Sequence, residues 1–192
     1  MKNLVFIAAA TAAFVLPQTA SAQALPAAVI AVADINRASA QCNACRTAVA
    51  TLEGQVNSLK ALQTSLGASL QTEATSIQAA VTALNGKQPD AALTARAKAF
   101  EQKQASAQSQ LQARDAAFQR NKSYVFKQIG EKLDPVLTSV MAKRGATMIV
   151  DSNNALRFSP SVDVTNDVIA GLNASLTTIG TTAPVTAAPE GR

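Results

Sequence analysis

The chain has 192 residues, carries 17 Lys/Arg against 12 Asp/Glu, and contains no histidine. The missing histidine excludes His-based catalytic triads and the usual catalytic zinc sets, and neither G-x-x-x-x-G-K-[ST] nor G-x-G-x-x-G occurs to support nucleotide binding. With no Trp, one Tyr and six Phe, the apolar content of 48% owes much to alanine; alanine buries little area, and this is the composition of long helices rather than of a large globular core.

The first residues read as an export signal. Lys2 supplies the positive start, Leu4 to Leu16 the apolar run, and Ala20-Ser21-Ala22 the small-residue cleavage pattern, with Ala22-Gln23-Ala24 as a second fit. Cleavage is placed after Ala22. The run is shorter than the ~18–20 apolar residues that span a bilayer, so residues 1–22 are expected to be removed and the mature protein to be soluble and outside the cytoplasm. Residues 23–35 hold the first predicted strand, Val29-Ile30-Ala31-Val32-Ala33, which ends at Asp34.

Residues 36–144 read as a helical hairpin. In its first half Val49, Val56, Gln63, Leu70, Ile77 and Leu84 recur every seven residues, and Leu52, Leu59, Leu66, Glu73 and Ala80 form the interleaved series. That pattern predicts a helix from about Asn36 to Leu84 with a coiled-coil seam, interrupted at Gln63 and Glu73 and loosened by Gly54 and Gly67. Asn85-Gly86-Lys87-Gln88-Pro89-Asp90 is a stop and restart, which places the tip near 85–90. The second helix runs from about Asp90 to Arg144, with Pro135 as a candidate kink. At 1.5 Å per residue the two helices reach ~73 and ~82 Å, too long to fold back over a small core, so the hairpin must project.

Between Lys87 and Arg144 there are 11 basic and five acidic residues. Such an excess attracts acidic partners, although spread-out charges on a helix are often only a solvated face. The candidate contacts for a bound partner are Phe100, Leu111, Phe118 and Val125, with Arg96, Lys98, Lys103, Arg114, Arg120 and Lys122 around them. The competing reading of the apolar set is packing within the hairpin.

Residues 145–176 return to strand signals: Thr147-Met148-Ile149-Val150-Asp151 after Gly145, then Leu156-Arg157-Phe158, then a closing helix through about Leu172 capped by Asp163 or Thr165. The two longer strands flank the hairpin and are expected to pair antiparallel. Residues 177–192, mostly Thr, Ala, Pro and Gly, are expected to be a disordered tail. Three short strands and one small helix bury too little to hold two long arms and leave open edges. The fold class is therefore α+β, mostly α: a long antiparallel helical hairpin on a small strand body completed by association between chains. The body residues expected to meet across subunits are Val29, Ile30, Val32, Met148, Ile149, Val150, Leu156 and Phe158.

Two remaining patterns invite chemistry. Asp34, Asp151, Asp163 and Asp167 could be paired carboxylates, but they sit where caps and strand ends belong. Cys42-Asn43-Ala44-Cys45 is open to three readings: a disulfide within or between chains, incidental thiols, or a redox or trimer-axis metal function. In an oxidising compartment a disulfide suits the i, i+3 spacing. No cofactor and no metal is expected, and the chain is not expected to be an enzyme.

The strand V-I-A-V-A-D-I-N-R leading into a long helix, and A-K-R-G-A-T-M-I-V-D-S-N-N-A-L-R-F-S followed by V-D-V-T-N-D-V-I, resemble the OmpH, or Skp-like, family of periplasmic chaperones. Val150-Asp151, Asp163-Val164-Thr165 and Asp167-Val168-Ile169 stand at the family's positions, and the resemblance runs to about Leu172. It implies a homotrimer with a shared β-barrel body and three projecting hairpins, which holds unfolded outer-membrane proteins without ATP until they are assembled. Anionic lipid or lipopolysaccharide is a further candidate partner, and no nucleic acid is expected in the periplasm. The alternatives are a coiled-coil structural or lipopolysaccharide-binding envelope protein and, on the cysteines alone, a disulfide oxidoreductase. The Cys pair and the Pro-containing tail depart from the family pattern.

Overall fold

The computed structural model of the protein describes residues 27–184. The expected signal segment at 1–22 and the end of the chain at 185–192 lie outside the described residues. In chain order the elements are β1 (Ile30–Ala33), α1 (Ile35–Gln41), α2 (Asn43–Ala83), α3 (Ala91–Arg144), β2 (Met148–Asp151), two single 3₁₀ turns at Ser152–Asn154 and Pro160–Val162, and α4 (Thr165–Ser175).

The hairpin forms where local chemistry calls for it. Asp90 caps α3, its carboxylate accepting the Leu93 N–H at 2.7 Å. The tip before it holds Asn85 and Gly86 at φ 47° and 85°, a left-handed pair that asparagine and glycine tolerate best. At the far end Gly145 sits at φ 63°, its N–H donating to Ala142 O and the Ala146 N–H to Met141 O; this double bond pattern closes a helix C-terminus and turns the chain away from its axis. α3 passes through Pro135 without ending.

The first predicted helix is in fact two. The chain breaks at Cys42, whose ψ of 146° is extended. No proline or glycine marks the spot, so residue propensities do not foretell it. The break is held from outside: Asn173 Oδ1 on α4 accepts the Asn43 N–H at 2.7 Å, and Cys42 Sγ accepts the Cys45 N–H at 3.1 Å. Two side chains thereby serve N–H groups at the start of α2 that have no partner within the helix.

β1 and β2 pair in parallel, Ile30 opposite Met148 and Ala33 opposite Asp151, which corrects the antiparallel expectation. That expectation counted one reversal, at the hairpin tip. Parallel pairing needs a second, and the left-handed Gly145 ahead of β2 supplies a place for it; the whole hairpin then serves as the crossover that a parallel pair requires. The expected third strand at Leu156–Phe158 is also absent, and Leu156 is fully exposed at 106%. The third neighbour of the sheet is Asp163, bridged in parallel to Val32, with the Val164 N–H donating to Val32 O at 2.8 Å.

The core gathers at this base. Ala33, Ala38, Cys42 and Cys45 from the first strand and helix junction meet Val125, Ile129, Val136 and Val140 of α3, Val164 just before α4, and Val168 and Leu172 of α4. Close approach of α4 to α3 depends on Gly171: a Cβ built there would stand 2.6 Å from Val136 Cγ1. Farther out the arms thin, and on α2 no residue after Leu52 is fully buried.

Candidate functional site

Three surfaces carry the candidate residues: the sheet end of the base, the flanks of the arms, and a groove along the hairpin. The base is organised by Asp163-Val164-Thr165. Thr165 is 1% exposed. Its hydroxyl donates to Asp163 Oδ1 and accepts the Asp34 N–H at 2.9 Å, while Asp34 caps α1 through the Arg37 N–H at 2.7 Å. The two Thr165 hydrogen bonds, with Arg37 adding a smaller attraction, hold the Asp163 carboxyl below its ordinary value against a modest opposing effect of burial. Asp151 accepts the Asn153 N–H, and Asp167 pairs with Arg144 at 2.6 Å and with Lys143 at 3.8 Å. All four aspartates thus serve caps, turns or ion pairs.

On the sheet side of the base, Val29, Ile30, Met148, Leu156 and Phe158 are exposed, Ile149 and Val150 are half-buried, and Val32 is buried inside the chain's own core. Ile30 and Met148 are opposite one another in the strand pair, so exposed apolar side chains stand side by side there. Val32 does not belong to the exposed set, because the Val32–Asp163 bridge covers it from within.

On the arms the candidates separate. Val125 is 0% exposed and packs in the base core, so it is hairpin interior and not a free contact. Phe100, Leu111 and Phe118 are half-buried. Arg96 is engaged within the hairpin: its Nε donates to Glu73 at 2.8 Å and its Nη2 to Ser76 Oγ at 2.8 Å. Glu73, which interrupts the heptad, therefore has a cross-hairpin partner. Lys98, Lys103, Arg114, Arg120 and Lys122 are exposed and lack a carboxylate within 4.0 Å among the described residues.

Two grooves flank Phe118. One, of about 470 Å³, is lined by Val49, Leu52, Val56, Phe118 and Phe126 with Glu53, Lys60 and Lys122 at its margin. Phe126 is 52% exposed and was not among the sequence candidates; an apolar residue off the stripe that contains Val125 and Ile129 was the signal available. The other, of about 580 Å³, is lined by Thr51, Gly54, Gln55, Ser58, Leu59, Leu62, Arg114, Ala117, Phe118 and Asn121.

Residues 177–184 are not the free tail expected. Leu176 is buried in the core, Ile179 packs against it, and the chain then runs along the hairpin. Gln128 holds Gly180 on both sides: Nε2 donates to Gly180 O at 2.8 Å and Oε1 accepts the Gly180 N–H at 2.9 Å. Gln55 Nε2 donates to Thr181 O at 3.1 Å, and Asn121 Oδ1 accepts the Ala183 N–H at 2.9 Å.

Cys42 and Cys45 are joined as a disulfide, with Cα atoms 5.0 Å apart, and both are buried. The bond ties the cap residue at the α1–α2 break to the first turn of α2 within one chain. Among the described residues no group of three or more His, Cys, Asp or Glu is placed to hold a metal ion, and no helix is long and apolar enough to cross a membrane.

A strand pair spanned by a projecting two-helix crossover, closed by a short helix that opens on Asp-Val-Thr, defines a hairpin-arm protein on a small mixed base. The sequence profile of the family described as "Outer membrane protein (OmpH-like)" matches residues 29–172, and the chain belongs to that family. Three solved chains match it. One is the crystal structure, at 2.83 Å resolution, of a candidate outer membrane chaperone (OmpH-like) from Caulobacter crescentus CB15. It superposes with a TM-score of 0.66 at 18% identity, covering 82% of this chain and 90% of that one. At that identity the likeness speaks for the fold. No curated protein matches the sequence.

Proposed function

We propose that this protein is an ATP-independent periplasmic holding chaperone that keeps unfolded outer-membrane proteins from aggregating. The observation that carries the reading is the arm itself: about 80 Å of helix at 1.5 Å per residue, with a half-buried apolar seam and five cations that have no acidic partner among the described residues, in a chain matched by the family over residues 29–172. Family membership supports a chaperone role. Contacts of this kind are individually weak, about 0–1 kcal/mol for an exposed charge pair, so grip comes from many acting together. Phe100, Leu111, Phe118 and Phe126 offer apolar contact beside Lys98, Lys103, Arg114, Arg120 and Lys122.

The reading includes a homotrimer. The exposed Ile30 and Met148 of the two-stranded sheet, with the exposed Val29, Leu156 and Phe158 outside it, favour cover by further copies of the chain. Export by a cleaved signal segment belongs to the same reading.

The deciding experiment dilutes a urea-unfolded outer-membrane barrel protein into buffer with and without the purified protein and follows light scattering. Scattering should be suppressed, and less so as salt rises, because attraction between exposed charges is screened over ~8–10 Å near physiological ionic strength. Replacing Lys98, Lys103, Arg114, Arg120 and Lys122 together by Gln should slow capture at low salt with helix content unchanged. Undiminished aggregation with the parent protein would remove the holdase reading, and a sedimentation velocity run giving a monomer would remove the trimer.

A further inference from the structure

The segment Thr177–Pro184 is held by a feature that the holding role does not by itself require. Beyond Ile179, which packs against the core, its hydrogen bonds to the hairpin are made through main-chain atoms. Gln128 engages both the N–H and the C=O of Gly180, as a neighbouring strand would; Gln55 takes Thr181 O, and Asn121 takes the Ala183 N–H. Asn121 Nδ2 also donates to Gln55 Oε1 at 3.0 Å, locking the two amides together across α2 and α3. A carboxamide carries a donor and an acceptor side by side, the same pair that a peptide group offers. Three of them, Gln55 on α2 with Asn121 and Gln128 on α3, read backbone groups whatever the side chains they belong to. One position is selective: a Cβ at Gly180 would meet Tyr124 Cε1 at 3.1 Å, so a small residue is favoured beside that ring.

The direction of the segment matters as well. Gly180 lies at Gln128 and Ala183 at Asn121, so the chain climbs from the base toward the tip, antiparallel to α3. Beyond Ala183 the groove continues between Gly54, Ser58, Arg114 and Ala117, with Gln55 and Asn121 at its lower end, as an open volume of about 580 Å³. There is room for a longer extended chain than residues 177–184 fill.

We propose that the groove edged by Gln55, Asn121, Tyr124 and Gln128 is a binding site for extended polypeptide backbone, occupied in cis by Thr177–Pro184 and taken over by an extended stretch of client. The second half rests on the holdase reading above. Because the cis segment is tethered, its effective concentration is on the order of millimolar. A client displaces it only by binding the arms at several points at once, so the segment keeps isolated short peptides out and yields to a long unfolded chain.

The chain's single tyrosine, with no tryptophan present, makes Tyr124 emission a direct reporter of this groove. The test uses the full-length chain and the variant Gly180→Pro, which removes the N–H that Gln128 accepts and leaves the groove residues intact. A labelled peptide with the sequence of residues 177–184 should bind Gly180→Pro at least tenfold more tightly than the parent, change Tyr124 emission on binding, and lose that binding in Gly180→Pro/Gln128→Leu. In the parent, the Gly180 and Ala183 amides should exchange slowly and lose protection when a urea-diluted barrel protein is added. Peptide binding that ignores Gln128→Leu, or Gly180 and Ala183 amides that exchange as fast as in the free peptide, overturns the site. A held barrel protein with tail protection unchanged overturns the competition. Gln128-dependent peptide binding together with failure to hold the barrel protein supports the site and sinks the holdase reading, so the two failures are told apart.

Discussion

The base and the outer arm are built from the same residue types and differ in how many neighbours each helix has. At the base α3 is packed by α2 on one side and α4 on another, and Val125, Ile129, Val136 and Val140 are buried. Farther out, among the described residues, α2 and α3 have only each other. Leu66, Leu70 and Ile77 occupy heptad positions as good as that of Leu52, yet Leu52 is buried and they are only half-buried. A seam between two helices leaves the flanks of every seam residue open, so a sound heptad yields a full core only where a third element closes it. The base can therefore be firm while the arm stays adaptable.

The comparison can be broken by truncating one leucine in each region. Leu172 is 0% exposed, and Leu172→Ala should cost about 2–5 kcal/mol. Leu70→Ala, in the half-buried seam, should cost about 1 kcal/mol. Urea unfolding followed by circular dichroism measures both, and equal losses would contradict the division into firm base and loose arm.

Gly171 sharpens the same point from the side of overpacking. Gly171→Ala forces a methyl into Val136 and should cost about 1–3 kcal/mol. Gly67 in the outer arm has nothing within 4 Å of a built Cβ. There the substitution relieves a helix penalty instead, and Gly67→Ala should gain about 1 kcal/mol. Thermal melts of the two alanine variants should therefore move in opposite directions, with hydrogen exchange of the outer arm slowed in Gly67→Ala.

The smallest effect concerns acid. Hydrogen bonds from Thr165 lower the Asp163 carboxyl in the folded protein, so folding favours its ionised form. Its contribution is complete above the ordinary carboxylate range near ~3.9 and fades as pH falls through the lower folded value. Asp163 is exposed at the surface, which keeps the effect small. Asp163→Asn should remove this small contribution at neutral pH and flatten the stability profile below about pH 4, where parent and variant converge. A parent and variant with superimposable acid limbs would show that the Asp163–Thr165 contact does not couple to folding.

Much of the hairpin was legible in the sequence because helix ends are short-range affairs. Asp90, Gly145 and the Asn85-Gly86 pair act within a turn or two of themselves, and the tip and the end of α3 fall where those residues predict. The candidate surface was less legible. Periodicity places Val125 and Phe118 on one stripe, but only the position of α4 and the start of α2 decides that Val125 is sealed while Phe118 keeps an open flank. Arg96 reads as a free cation until Glu73, across the hairpin, is seen beside it. Phe126 lies off the stripe, and the sequence offered no count of what would cover it.

The sequence by itself determined the helix-rich class, the two strands flanking a hairpin, the closing helix and its Asp-Val-Thr start, because each depends on residues a few positions apart. Only the tertiary structure decided the parallel pairing of β1 and β2, the break at Cys42, the absence of a strand at Leu156–Phe158 and the docking of residues 177–184. Strand direction depends on how many times the whole chain reverses. The break and the docked segment depend on hydrogen bonds donated by the Asn43 N–H to Asn173 and by the Ala183 N–H to Asn121, and on the pair exchanged between Gln128 and Gly180. Partners separated by 52 to 130 residues leave no periodic trace in the chain and meet only once the core has brought their helices together.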